Sequence, residues 1–431
     1  MKKLILLSFT SLMLVFGAMA QGVQRDLQFW RSPDQRGLGV FETGKADTVA
    51  YDGIKVRVGG AFTQQFQSLS HSNTATPNLN AAGVNLNELI DFGGGFNLAT
   101  ANLNFDVALA DGVRLNLVTY LSSRHHPETW VKGGFIQVDK AEFLNSELLN
   151  KVFEKVTLKV GHMEINYGDA HFRRSDNGNA FYNPFVGNYI MDAFTTEIGA
   201  EVIFQHEGFL AVASATGGEI QGGVTNPDRR KMAYIGKLGY DKQMNDDFRL
   251  RLTGSVYTTS GSVNNTLWGG DRSGSRYYLA MENTLASTSS QFTSGRFNPG
   301  QRDNVTAMVL NPFLKYKGLE VFGNFETSKG KAANETEDRT WNQIAGDVVY
   351  RFGATENLYL AARYNKVSGE MQGSGLETSI DRVQIGGGWF VTRNILAKLE
   401  YVSQNYNDFA TNDIRNGGKF NGLMIEGIVS F

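Results

Sequence analysis

Apolar and polar residues alternate one for one along most of this chain, and long polar connections take turns with short ones. Such alternation puts successive side chains on opposite faces of an extended strand. The stretch 421–431 carries the pattern to its last residue. Leu423, Ile425, Gly427, Val429 and Phe431 share one face, and Met424, Glu426, Ile428 and Ser430 the other. Chain ends usually fray. An end that keeps its alternation fits a strand hydrogen-bonded on both sides, which closing a sheet into a barrel supplies. The predicted partner is 54–66, where Ile54, Val56, Val58, Gly60 and Phe62 alternate with Lys55, Arg57, Gly59, Ala61 and Thr63.

Between these two lie candidate strands at 96–109, 113–121, 130–138, 155–165, 197–205, 209–216, 231–240, 248–257, 305–316, 319–327, 341–352, 358–366, 380–391 and 395–402. The total is about sixteen, with fourteen or eighteen as the alternatives, and single-chain bacterial barrels have an even number. Lengths cluster near the ~9–11 residues that cross a bilayer when tilted. Ala110-Asp111-Gly112, His206-Glu207-Gly208 and Lys317-Gly318 make tight turns on the side that also holds both chain ends. One connector has helical period, with Phe143, Leu144, Leu148, Val152 and Phe153 forming a single apolar stripe. The fold class expected is all-β: a transmembrane antiparallel β-barrel, with short periplasmic turns and long extracellular loops, over 54–431. Residues 21–53 are polar and lack sustained alternation. They are read as a segment on the periplasmic side, either tucked into the barrel mouth or a loosely ordered lead-in.

Residues 1–20 have a positive start (Lys2, Lys3), an apolar core and an Ala18-Met19-Ala20 end, the pattern of a cleaved secretory signal peptide. The chain has no Cys, which rules out a disulfide scaffold and a lipoprotein anchor. No later stretch approaches the ~18 consecutive apolar residues of a membrane helix, and mean hydropathy is -0.27. Yet 49 Gly, 29 Phe and 16 Tyr stand beside only 7 Pro, a composition that suits a membrane barrel with a wet lumen. A formal charge of -2 argues against a nucleic-acid partner.

Alternation alone does not say which face meets lipid, because a soluble sandwich would turn its apolar face inward. The export signal, the strand count and the terminal strand favour the barrel. A Lys or Arg on the lipid face would cost ~2–4 kcal/mol at the bilayer midplane. On that argument Arg57, Arg114, Arg249, Arg251, Arg351, Arg363 and Arg382 point into the lumen as a basic track, balanced by Glu197, Glu201, Asp347, Glu400 and Glu426. Arginine suits carboxylated solutes through bidentate contacts. The plainer expectation is that these charges pair with each other, keep the lumen wet and give weak selectivity. Tyr120, Trp130, Tyr189, Tyr240, Tyr257, Trp341, Tyr350 and Tyr401 are candidates for interfacial girdles.

The strand 421–431 resembles the C-terminal signature of Gram-negative outer-membrane proteins. The whole of 54–431 resembles the Gram-negative porins, closest in style to the phosphate-selective-like group of sixteen-stranded barrels. That resemblance rests on strand and loop organisation, the helical connector, and the passage Leu158-Lys159-Val160-Gly161-His162-Met163-Glu164-Ile165-Asn166-Tyr167-Gly168. No lysine or arginine ladder of the group can be matched residue by residue, so phosphate selectivity is not implied. The resemblance implies a third loop, 166–195, folded inward to narrow a channel. Phe172, Phe181, Phe185 and Tyr189 would pack on the wall, leaving Asp169, Arg173, Arg174 and Asp176 at the constriction. It also implies an outer-membrane location, lipid and small hydrophilic solutes as partners, and a homotrimer as the common assembly.

Chemistry is poorly supported. His162, Glu164 and His171 make too sparse a set for a metal site. Ser175-Asp176 with His171 lacks the context of an activated nucleophile. No enzyme activity, metal or cofactor is expected. The expectation is a passive diffusion channel. The rivals are a surface-binding, adhesive barrel that uses loops 71–91 and 258–303 over a plugged lumen, and a membrane-embedded hydrolase.

Overall fold

A computed structural model describes residues 26–431 other than 48, 98, 123–127, 263, 271–275, 289 and 292. The expected signal peptide at 1–20 lies outside the described residues. Strands β1 (Lys55–Ser72), β2 (Gly95–Phe96), β3 (Thr100–Ala110), β4 (Val113–Ser122), β5 (Trp130–Val138) and β6 (Val156–Glu164) come first. They are followed by β7 (Thr196–His206), β8 (Phe209–Thr216), β9 (Ala233–Gln243), β10 (Phe248–Thr259), β11 (Asn304–Tyr316) and β12 (Leu319–Lys331). The last are β13 (Arg339–Phe352), β14 (Leu358–Glu370), β15 (Glu377–Thr392), β16 (Ile395–Asn407) and β17 (Lys419–Ser430). From β3 onward each strand pairs antiparallel with the next.

Strand β17 returns to β1, with Ala61 opposite Ser430 and Ser72 opposite Lys419. Phe431 and Gly60 exchange both backbone hydrogen bonds at 3.0 Å, so the ladder runs to the last residue. Strand β2 is a two-residue piece that meets β1 at Phe66 and Gln67, beyond the β3 pairing. The result is a closed antiparallel barrel of sixteen strands with one further short strand. Closure leaves no open sheet edge, which an apolar bilayer would penalise.

The outward positions are apolar and exposed, and the inward ones are buried. On β13, Ile344, Val348, Tyr350 and Phe352 face out, while Gln343, Asp347, Val349 and Arg351 face in. On β14, Leu360 is 59 % exposed and its neighbour Ala361 is 6 %. This is the parity of a membrane barrel, since a sandwich would hide the apolar face. Tight turns close the ends opposite the long loops. At Gly112 the backbone takes φ +68°, and a Cβ would also stand 2.5 Å from that of Lys140.

Two sequence expectations are corrected. Tyr120, Tyr189, Tyr257 and Trp341 do not belong to a girdle: all are buried inside, whereas Tyr350 and Tyr401 face outward. Trp341 shares the parity of Gln343 and Asp347, so its ring goes to the lumen and donates to the Glu370 carbonyl at 3.0 Å. The β5–β6 connector is likewise not one packed stripe. It is a 3-10 turn, Glu142–Leu144, then a helix, Glu147–Phe153, divided by Asn145 in the left-handed region at φ 49°. Phe143, Leu144, Leu148 and Val152 are all exposed.

Candidate functional site

Three segments fill most of the lumen. Residues 26–53 enter from the side of the tight turns. Lys45 donates to the carbonyls of Asp139 (2.8 Å) and Val156 (2.9 Å), which fixes the segment to the ends of β5 and β6. Phe41 packs edge-on against Phe172 and Phe313. Apolar and aromatic residues at these positions explain why the segment is inside: Leu27, Phe29 and Phe41 are each at most 5 % exposed.

The second segment is the loop 165–195. Its ring side chains pack on the barrel wall, with Phe181 against Phe390 and the Arg363 guanidinium over both Phe185 and Tyr189. The third is the described part of the loop 258–303, which also turns inward. Tyr277 donates to Glu400 at 2.7 Å, Arg276 reaches Glu426 at 3.2 Å, and Leu267, Trp268, Ala280, Met281 and Phe297 join one apolar cluster with Ile190, Met191 and Trp341. The rival adhesive reading put 258–303 to use at the surface, whereas these described residues lie inside the barrel. The loop's aromatic content, the same signal that marks 165–195, could have found this.

The 165–195 charges are held by partners. Asp169 accepts from Arg251 (2.8 Å) and Thr253 (2.7 Å) and pairs with Lys237 (3.0 Å). Glu42, from the N-terminal segment, pairs with the same two cations, at 2.7 Å to Arg251 and 3.2 Å to Lys237. Burial opposes ionisation of Glu42 and Asp169, but Lys237 and Arg251 outweigh it. Both carboxyls are held well below their ordinary range, Glu42 at about 2. Arg173 lies 3.3 Å from Glu320 and over the rings of Phe313 and Phe322. Arg174 forks onto Asp192 at 2.9 and 2.7 Å. Asp176 accepts from Tyr120 at 2.7 Å and pairs with Lys132.

Apart from Arg57, the predicted wall charges are also engaged. Arg249 pairs with Asp241 (2.7 Å), Arg351 with Glu320 (2.7 Å), Arg363 with Asp347 (2.6 Å) and Arg114 with Asp106 (2.8 Å). Arg382 donates to Gln404 and to the Asn188 carbonyl, both at 2.6 Å. Glu197 accepts from Tyr257 at 2.9 Å, and Glu201 from Lys159 at 3.2 Å. Glu426 takes Lys398 at 2.9 Å, and Glu400 takes the Val186 amide at 2.7 Å. Sequence reasoning passed over Lys237, Lys398, Glu320 and Glu42. Lys237 and Lys398 share the inward parity of the arginines and were findable by the same argument.

Among the described residues a cavity of about 280 Å3 lies open on the β1–β6 side. Its lining includes Arg57, Asn104, Asp106, Asn116 and Lys159 from the wall, Trp30, Arg31 and Glu42 from the N-terminal segment, and His171, Arg174, Asp176 and Tyr182 from the second segment. Asp169 and Arg173 do not line it; Arg174, Asp176, Arg57 and Arg114 do. His171 is not directed at Ser175. Its ring nitrogens contact Glu164 at 2.6 Å and Asn166 at 3.1 Å, and the Ser175 hydroxyl accepts from Asn183 at 3.1 Å.

No family model matches this chain, and no curated protein matches it in sequence. Solved structures resemble it. An anion-selective porin from Comamonas acidovorans aligns over 88% of this chain and 100% of that one, with 11% identity and a TM-score of 0.52. The outer membrane channel DcaP of Acinetobacter baumannii covers 89% of this chain and 99% of its own, at 9% identity and a TM-score of 0.51. A trimer form of OmpT, an outer membrane protein of Vibrio cholerae, covers 88% and 100%, at 11% identity and a TM-score of 0.51. At such identities the likeness is one of fold. This chain has the closed sixteen-stranded barrel fold of bacterial outer-membrane porins.

Proposed function

We propose that this protein is a passive diffusion channel of the bacterial outer membrane for small hydrophilic solutes, with the passage along the β1–β6 wall. The observation that carries this is the polar cavity between that wall, the N-terminal segment and the loop 165–195. An apolar exterior and a charged interior belong to a protein that keeps water inside a membrane. The inward loop 165–195 acts as the constriction, with Arg174 and Asp176 at the passage and Asp169 and Arg173 anchoring the loop to the wall. The resemblance to the phosphate-selective-like group is supported by the organisation of strands and the helical connector. Phosphate is not proposed as the solute.

A homotrimer is part of the proposal, supported by the exposed small residues Gly346 and Gly427 among the apolar residues of the outer wall. The proposal makes no use of catalysis. The test is planar-bilayer recording of the folded chain, with stepwise open-channel conductance as the expected result.

One observation favours a second reading, a plugged barrel that works through its surface. The loops 165–195 and 258–303 pack apolar side chains across the lumen on the β9–β17 side. A folded, membrane-inserted and electrically silent protein would select this reading and end the first.

A further inference from the structure

The cavity on the β1–β6 side holds a cation that belongs to no ion pair among the described residues. Its carboxylates are each engaged by other groups of the protein. Asp106 accepts from Arg114 (2.8 Å), Asn116 (2.9 Å) and Trp30 (3.2 Å), and Glu164 contacts His171 (2.6 Å). Asp176 is held by Tyr120 and Lys132, and Glu42 by Lys237 and Arg251. Arg57 differs. Among the described residues it has no hydrogen-bond acceptor and no carboxylate at ion-pair distance. Its guanidinium lies over the Trp30 ring, 4.3 Å from the centroid.

Position explains this conformation. Arg57 and Gly59 share the inner face of β1, and the guanidinium folds back over Gly59. A Cβ at Gly59 would come within 2.4 Å of Arg57 Nη1. The glycine thus clears the space in which the arginine lies, and the indole of Trp30, held by its bond to Asp106, covers one face. Stacking occupies the face of a guanidinium and leaves its N–H edge available, which is the geometry that takes a carboxylate in bidentate fashion. Asn104 stands opposite Gly59 on β3, and Asn116 and Asn179 also line the cavity. Amide side chains suit a hydroxylated remainder.

We infer that Arg57, cradled by Gly59 and stacked on Trp30, is a binding subsite for a small hydroxylated carboxylate inside the barrel. This deepens the proposed passage and rests on it for its physiological use, but binding itself requires no transport. Part of the subsite comes from the N-terminal segment, so a barrel without that segment would lack it. Arg31 has another role: it is tied to the Gly37 and Phe172 carbonyls at 3.0 and 3.1 Å and stacks on Tyr182, which fixes the two internal segments to each other.

The test uses the full chain folded in detergent, with gluconate as the probe and sorbitol as its uncharged counterpart, read by calorimetry. The unaltered protein is expected to bind gluconate and ignore sorbitol. Arg57→Gln is expected to weaken gluconate binding about tenfold or more, the size of a lost hydrogen bond to a charged group, and Arg57→Lys to recover part of it. Gly59→Val, which fills the cradle, is expected to reduce binding with Arg57 still present. Heat-modifiable gel mobility checks that each variant is folded. Equal gluconate binding by folded Arg57→Gln, or equal affinity for sorbitol, overturns the inference. The channel proposal fails separately: a silent protein that binds gluconate through Arg57 loses the channel and keeps the subsite, and a conducting protein indifferent to Arg57→Gln does the reverse.

Discussion

On the β10–β17 side, inward-facing ion pairs are completed by something brought in from a loop. Arg363 and Asp347 are joined by Tyr189, Arg351 and Glu320 by Arg173, and Lys398 and Glu426 by Arg276. On the β1–β6 side the same strand alternation points Arg57, Asn104, Asn116 and Lys159 at open space. Both walls are read from one pattern and differ in what the loops deliver to them. A barrel's strands decide which residues face inward; its loops decide which of those meet solute.

The sharpest way to break this contrast is to remove one charge from each wall. Arg251 is 2 % exposed and shared by Asp169, Glu42 and Asp241. Arg251→Ala strips buried carboxylates of their cation and is expected to destabilise the protein by about 3–5 kcal/mol. Arg57→Ala, at the cavity, breaks no ion pair among the described residues and removes only the stack on Trp30, at an expected cost of about 1 kcal/mol. Urea unfolding of both variants checks this, and equal losses would mean that the walls are not different in kind.

A second expectation concerns access. Because the chain has no Cys, single cysteines report cleanly. In bilayer recordings, a methanethiosulfonate reagent is expected to remove most of the conductance of Asn104→Cys and Asn116→Cys and to leave Gln343→Cys untouched. Block at position 343 would place the passage on the other wall.

The smallest expected effect is with pH. Glu42 and Asp169 are held below their ordinary range, so the stability they lend is present in full above that range. It is lost only as pH falls through the depressed values, toward about 2 for Glu42. Conductance is therefore expected to stay flat from neutral pH through the usual carboxylate range. A rise centred near pH 4.5 would show that the N-terminal segment is held by less than this cluster.

The barrel itself was legible because one face of every membrane-crossing stretch must be apolar. Trp130–Val138 and Phe209–Thr216 match the expected limits residue for residue. Other strands run on past the end of the pattern: Leu358–Glu370 and Ile395–Asn407 each extend beyond the reach of their alternation at 366 and 402. Outside the bilayer, polar residues suit both faces, so the pattern vanishes while the hydrogen-bond ladder continues. The lumen contents were harder to read. Loop 258–303 carries Leu267-Trp268 and Tyr277-Tyr278, but no periodicity says which wall they will meet. The partners of Glu42, Lys237 and Arg251, lie far along the chain and are brought together only by the closed sheet.

That last separation bears on assembly. Glu42 and Lys237 are 195 residues apart, and Gln35 reaches Thr355 across 320. Contacts of such span carry a loop-closure cost that must be met before they form, and they slow folding. Residues 26–53 leave the ribosome before any strand they touch exists, and Glu42 has no cation to pair with until β9 and β10 stand side by side. The earliest-made part of the described chain thus completes its contacts only after the later strands have been made.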